Sequence, residues 1–167
     1  MEIKEIVVIS GKGGTGKTTL TASLVPHFER IVLADCDVDA PDLKILFEGK
    51  NKSTENFIGL EKAVIDNSIC IKCGLCKEKC KFDAISEKIE IINSKCEGCS
   101  VCEFVCPANA IKMADAIIGQ LFVSDTAYGD MVHARLIPGE ETSGRLVSEV
   151  RKRAKKIAKE MDRKTIL

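Results

Sequence analysis

Eight of the nine cysteines fall into two runs of one spacing. Cys70, Cys73, Cys76 and Cys80 recur 26 residues later as Cys96, Cys99, Cys102 and Cys106. Thiolates at three-residue steps wrap an inorganic cluster, and in the bacterial C-x2-C-x2-C-x3-C-P pattern the fourth cysteine of each run ligates the other cluster. The spacing therefore predicts two [4Fe–4S] centres. One is held by Cys70, Cys73, Cys76 and Cys106, the other by Cys96, Cys99, Cys102 and Cys80. The offset reaches past the thiols, because Ala84-Ile85 recurs as Ala110-Ile111. The repeat is thus that of a fold unit. The second run ends Cys106-Pro107, whereas the first has Lys81 in the proline position. That departure touches the turn after the ligand, not the ligand set.

Two other uses of cysteine fit less well. Zinc sites pair their cysteines and need four ligands in all. Two triplets plus two single cysteines do not divide that way. Disulfides need an oxidising compartment, and no targeting segment leads the chain to one. Its first ten residues hold only a short apolar run, Ile6 to Ile9, too short for a signal peptide or a membrane span. A cytoplasmic, reduced setting is the expectation, with no membrane partner. Acidic and basic residues balance at 25 each, with no tryptophan and one tyrosine. Neither bulk charge nor aromatic stacking platforms point to nucleic acid.

A second chemistry lies near the start. The apolar run Ile3 to Ile9 has strand length, and Gly11-Lys12-Gly13-Gly14-Thr15-Gly16-Lys17-Thr18 follows it. This is G-x4-G-K-[ST], the Walker A phosphate loop. Its glycines let backbone N–H groups turn toward phosphate oxygens. Lys17 is expected to reach the β- and γ-phosphates of ATP, and the Thr18 hydroxyl to ligate Mg2+. The segment Thr19 to Arg30 reads as a helix with its N-terminus at the phosphates. Gly11 through Thr19 are the expected nucleotide-binding residues. A second strand, Ile31 to Ala34, ends in Asp35-Cys36-Asp37-Val38-Asp39. Carboxylates there lie beside the first loop of a parallel sheet and can position water or a Mg2+ shell. Cys36, outside both runs, is expected to be a small buried side chain.

With Lys12 in the variable stretch, the loop reads K-G-G-T-G-K-T. This resembles the deviant Walker A of the MinD/ParA/Mrp and nitrogenase iron-protein superfamily, and the aspartate cluster matches its switch I. Closest is the resemblance to MinD-type ATPases carrying an inserted ferredoxin domain. It extends over Tyr128-Gly129-Asp130, His133-Ala134 and Pro138-Gly139-Glu140-Glu141-Thr142-Ser143-Gly144. The resemblance implies a homodimer in the full-length form, in which Lys12 reaches the partner's nucleotide. It also implies that Asp37 orients the attacking water, with Asp35 supporting it. The family continues past this basic helix into a Walker B strand with an aspartate. The chain is read as an N-terminal fragment that stops where that strand begins, and hydrolysis is expected of the full-length family rather than of this chain.

The fold class implied is α/β. A partial P-loop NTPase sheet (residues 1–61 and 116–167) would carry an inserted α+β bacterial-type ferredoxin domain (residues 62–115). Asn51 to Asn56 reads as a polar entry linker, Phe57 to Ile65 as a strand, and Ile89 to Ile92 as a short strand between the cysteine runs. Ala116 to Ser124 and Met131 to Ile137 read as an antiparallel pair. A helix capped by Thr142 or Ser143 should run to about Arg163. Its apolar face is Leu146, Val150, Ala154, Ile157, Ala158 and Met161, and its basic face reads as solvated. His133 is expected to be structural.

The leading functional expectation is a nucleotide-binding iron–sulfur protein. In it ATP gates electron transfer through two clusters to a redox partner. The alternatives are an assembly factor that hands clusters to a client protein, and a plain electron carrier with an idle phosphate loop.

Overall fold

The computed structural model describes residues 2–12, 14–140 and 143–167. In chain order the first elements are β1 (Lys4–Glu5), α1 (Lys17–Leu24), β2 (Ile31–Asp35), α2 (Leu43–Leu46) and β3 (Gly49–Ile58). Then come β4 (Lys62–Ile65), α3 (Leu75–Lys79), α4 (Val101–Val105) and β5 (Ile111–Ala114). The last are β6 (Ile117–Thr126), β7 (Gly129–Leu136), α5 (Ser143–Glu160) and β8 (Thr165–Ile166). Two compact units result, Met1–Phe57 with Gly119–Leu167, and Ile58–Ile118.

The first unit is a mixed α/β layer structure on a mostly parallel sheet of order β1-β8-β2-β7-β6-β3. β8 lies between β1 and β2, parallel to both. β7 runs parallel to β2, and β6 returns antiparallel to β7 from Thr126↔Gly129 to Gly119↔Leu136. β2 is β-branched and apolar because it is covered on both faces. Ile31 and Leu33 join Val25, Leu43, Phe47, Met131 and Leu167 in one core. Alternate residues such as Val32 and Val132 point to the other face. There α5 packs on β2 and β7 with a stripe at four-residue spacing, Leu146, Val150, Ala154 and Ala158, all buried. Each of the two larger side chains contributes about 1.5–3 kcal/mol of burial.

Several elements depart from the sequence reading. Asn51 to Asn56 is not a linker but the middle of β3, a ten-residue strand at the end of the sheet order. An edge strand needs no apolar face, and charge protects it from further pairing. Lys52 pairs with Asp125 and Asp130, and Glu55 with Arg153. The helix after the phosphate loop ends at Leu24 and tightens into a 3-10 turn at Val25–His27, because Pro26 has no N–H to continue it. Strand pairing in the Ile3–Ile9 run is confined to Lys4 and Glu5, the length β8 matches. Ile89 to Ile92 forms no strand, only the bridge Ile85↔Ile91. Met161 is exposed rather than on the apolar face. Thr142 lies outside the described residues; the helix begins at Ser143.

The basic face of α5 is largely neutralised within its own unit. Arg151 and Lys155 both engage Glu5, and Lys156 pairs with Glu160.

The second unit has β4 and β5 paired antiparallel, Lys62↔Ala114 to Ile65↔Ile111. Two one-turn helices, α3 and α4, pack together. Ala63, Cys76, Ile85, Ile89 and Ile111 form its core, with five further cysteines packed around them.

Candidate functional site

The 26-residue offset is written into the backbone. Helix α4 starts and ends 26 residues after α3. Left-handed residues recur at the same interval: Lys72 and Gly98, Gly74 and Ser100, Asp83 and Asn109. These left-handed residues flank the cysteines, and three cysteines of each run line one cavity. Cys76 is buried, Cys73 and Cys99 are exposed, and the other five lie between.

Two separate cavities in this unit sort the thiols. Cys70, Cys73, Cys76 and Cys106 line one, together with Ile89 and Ile111. Cys80, Cys96, Cys99 and Cys102 line the other, together with Ala63 and Ile85. Each cavity therefore receives three thiols from one run and one from the other. The backbone N–H of Ala84 donates to Cys80 Sγ at 3.4 Å, and that of Ala110 to Cys106 Sγ at 3.3 Å. These are the alanines of the repeated Ala-Ile pair. The repeat was visible in the sequence, but the role of its alanines as donors to the crossing cysteines was not read from it.

The donor chemistry suits a cluster better than one ion. Among the described residues no three Cys, His, Asp or Glu side chains converge as a single-ion site. A zinc ion needs its sulfurs drawn to about 2.3 Å of one point. A four-iron cluster takes one thiolate per iron, so its ligands stand apart around a cavity. Burial pushes the Cys76 and Cys102 thiols up, so loading iron there must expel their protons.

In the other unit, Gly16 takes φ 89° as the N-cap of α1 and offers no side-chain cap. Its carbonyl accepts the Leu20 N–H at 2.8 Å. The first N–H groups of the helix are thus left for an anion. Lys17 Nζ donates to Ser10 Oγ at 3.2 Å, and Ser10 and Thr15 hydroxyls both donate to the Lys12 carbonyl, at 2.9 and 3.1 Å. Ser10 was not singled out in the sequence. A hydroxyl just before the first loop glycine was the available signal. An open cleft of about 610 Å3 brings Ser10, Lys17 and Thr18 together with Asp35 and Asp37. Gly11, Lys12, Gly14, Thr15, Gly16 and Thr19 are exposed and outside its lining. Gly13 lies outside the described residues.

The two aspartates do different things. Asp35 is buried, and its two oxygens accept the N–H groups of Asp37 and Leu43, each at 3.1 Å. Burial pushes its carboxyl up, against those two hydrogen bonds. Asp35 therefore shapes the loop. Asp37 is exposed and accepts the Ala40 N–H at 3.1 Å through Oδ1. Cys36, expected to be buried, is exposed in the same cleft, just past the last residue of β2. His133 is buried, stacked on Phe122 at 5.0 Å, and among the described residues its Nδ1 has no hydrogen-bond partner.

Comparison with known proteins decides part of this. Residues 63–113 match the family model of the 4Fe-4S dicluster domain. That stretch is a ferredoxin domain. An uncharacterized protein of Methanocaldococcus jannaschii is 42% identical over 164 residues, 95% of this chain and 58% of the relative. Proteins bearing the provisional name septum site-determining protein MinD are similar over shorter stretches. That of Oltmannsiellopsis viridis is 37% identical over 78 residues, 44% of this chain and 21% of its own length. That of Emiliania huxleyi is 34% identical over 76 residues, 43% and 24%. The chain thus spans little more than half the length of the first of these relatives. Among the described residues no helix is long and apolar enough to cross a membrane.

Proposed function

We propose that this protein binds two [4Fe–4S] clusters and a nucleotide, and that nucleotide binding is coupled to electron transfer through the clusters. One observation carries the reading: two cavities, each lined by three cysteines of one run and the fourth of the other. When bound, each cluster takes up and releases single electrons. Cys70, Cys73, Cys76 and Cys106 would hold one, and Cys96, Cys99, Cys102 and Cys80 the other. The N–H groups of Ala84 and Ala110 stabilise negative charge on the crossing sulfurs. The ferredoxin segment, residues 62–115, would act as an insert in a nucleotide-binding unit made of residues 1–61 and 116–167.

The nucleotide part of the reading rests on the uncapped α1 N-terminus and on Lys17, Thr18, Asp35 and Asp37 sharing a cleft. Lys17 would meet the β- and γ-phosphates, Thr18 would ligate Mg2+, and Asp37 would orient water. Lys12, exposed beside the cleft, would reach the nucleotide of a second copy in a homodimer. Partial similarity to MinD-named proteins supports this half.

The test is a paired measurement on anaerobically purified protein: iron and acid-labile sulfide, with MgATP binding by equilibrium dialysis on the same sample. About eight irons per chain with bound ATP supports both halves. About eight irons without ATP leaves an electron carrier and removes the coupling.

One observation favours a second reading. Each cavity has one exposed ligand, Cys73 or Cys99, which gives an accepting thiol a point of attack. In that case the clusters are cargo for a client protein, and they should pass to an apo-ferredoxin within minutes on mixing.

A further inference from the structure

Ile89 has a backbone no β-branched residue adopts cheaply. Its φ is 59°, in the left-handed region where such a residue is an outlier. The turn around it explains the demand. Ile89 N–H donates to the Ser86 carbonyl at 3.0 Å, and Ser86 N–H to the Glu90 carbonyl at 2.9 Å. Glu90 N–H donates to Ser86 Oγ at 3.2 Å, and the bridge Ile85↔Ile91 closes the loop. Short hairpin loops of this kind place glycine at the left-handed position. Here an isoleucine occupies it, and its side chain is only 8% exposed. Strain of this sort persists where the surrounding structure holds it in place, and it clusters at functional sites.

The surroundings say what the side chain does. An open groove of about 800 Å3 runs beside this turn, with Lys77, Glu87 and Glu90 in its wall. Lys72, Gly74 and Ile89 line both this groove and the cavity of Cys70, Cys73, Cys76 and Cys106. Lys72 is exposed and Gly74 has no side chain, which leaves Ile89 as the apolar side chain that separates this groove from that cavity. The second cavity differs. Twenty-six residues earlier Ala63 lines it from the strand β4, with a smaller side chain.

We propose that Ile89 is a solvent seal on the centre held by Cys70, Cys73, Cys76 and Cys106, setting its potential apart from that of the second centre. This rests on the two-cluster reading above. Reduction adds negative charge to a thiolate-ligated cluster, and nearby water favours the more charged form. Excluding water therefore holds the potential down. Glycine at position 89 would relax the backbone and open the seal. Leucine would keep an apolar plug without a branched Cβ.

The experiment is a redox titration followed by EPR on the full chain with its clusters, for wild type, Ile89→Gly, Ile89→Ala and Ile89→Leu. Iron content comes first: a wild type without about eight irons overturns the cluster reading itself. Given loaded wild type, Ile89→Gly should raise one midpoint and leave the other unmoved. Ile89→Ala should give a smaller shift of the same sign, and Ile89→Leu should match wild type. Loss of one cluster of the two from Ile89→Gly is the extreme of the same effect. Midpoints that stay put, or move together, overturn the seal. So does loss of both clusters from both truncated variants, because a seal acts on one centre.

Discussion

Lys72 and Gly98, 26 residues apart, hold the same left-handed backbone, with φ of 54° and 68°. Only one of them needs to be glycine. A Cβ at Gly98 would lie 2.4 Å from the Glu61 carbonyl oxygen, so its position is crowded as well as left-handed. Gly98→Ala should destabilise the unit by more than about 2 kcal/mol, since backbone must shift as well as strain. Lys72→Gly should be neutral or stabilising by up to about 1 kcal/mol, relief of left-handed strain being offset by added chain entropy. Thermal unfolding of the loaded protein reads both. Equal losses from the two changes would mean that the Glu61 carbonyl is not what holds position 98 to glycine.

The crossing of ligands makes a second, sharper prediction. If Cys106 serves the Cys70–Cys76 centre, Cys106→Ser and Cys73→Ser should perturb the same EPR signal. Cys80→Ser and Cys99→Ser should perturb the other. Were each run to hold its own cluster, the pairs would instead be Cys80 with Cys73 and Cys106 with Cys99. Two double variants, each paired one way, separate the schemes by whether one signal or both are lost.

His133 sets a pH dependence of known sign. Burial, helped by the charge of Lys44, pushes its pKa down to about 4. A histidine depressed in the fold contributes stability that is present above its unfolded value near 6.5 and is lost as pH falls through about 4. His133→Phe keeps the ring on Phe122 and removes an Nδ1 that has no hydrogen-bond partner among the described residues. The variant should lose less stability between pH 6.5 and 4 than wild type, by roughly 1–3 kcal/mol. Urea midpoints across that range measure it. Parallel curves would mean that His133 does not titrate as a buried neutral group.

The parts of this molecule legible in its sequence are those where one local pattern fixes the outcome. The cysteine spacing announced the thiol-lined turns, and the four-residue stripe from Leu146 to Ala158 announced α5. The Thr126–Gly129 turn announced the β6–β7 hairpin. What escaped depends on partners far away in the chain. β3 looked like a linker because Asn51, Lys52, Thr54 and Glu55 carry no apolar alternation; its pairing is supplied by a neighbouring strand and by Asp130 and Arg153. Ile89 looked like a strand residue because Ile89 to Ile92 alternates apolar and polar; turn geometry and the cavity overrode that pattern. The split of Asp35 and Asp37 into a buried organiser and an exposed carboxylate was likewise invisible, since it depends on the Leu43 N–H eight residues on.

Asp35 yields a prediction on that split. An asparagine has one acceptor oxygen for the two N–H groups, so one of them would face an NH2 group instead. Asp35→Asn should therefore destabilise the first unit by about 1–3 kcal/mol, the range for a buried donor left unmade. Asp37→Asn should change stability little, as its side chain is exposed. Because burial raises the Asp35 carboxyl, its stability contribution is fullest below the unfolded carboxylate value and declines as pH rises through the folded one. The deficit of Asp35→Asn against wild type should thus narrow with rising pH. A deficit that grows instead would mean that the carboxylate is held in its charged form.

Three variants of the phosphate loop separate its expected roles. Lys17 is the lysine that lines the cleft, held toward Ser10. A hydrogen bond to a charged group contributes about 1.5–3 kcal/mol, so Lys17→Ala should weaken MgATP binding about 10- to 100-fold. Ser10→Ala only frees the lysine from its rest position and should change affinity less than about fivefold. Lys12 is exposed outside the cleft lining, so Lys12→Ala should leave monomer affinity unchanged and reduce only association driven by MgATP. Equilibrium dialysis and sedimentation on the same preparations distinguish the three. A Lys12→Ala protein that binds MgATP as poorly as Lys17→Ala would place Lys12 on its own chain's nucleotide, and the homodimer reading would lose its basis.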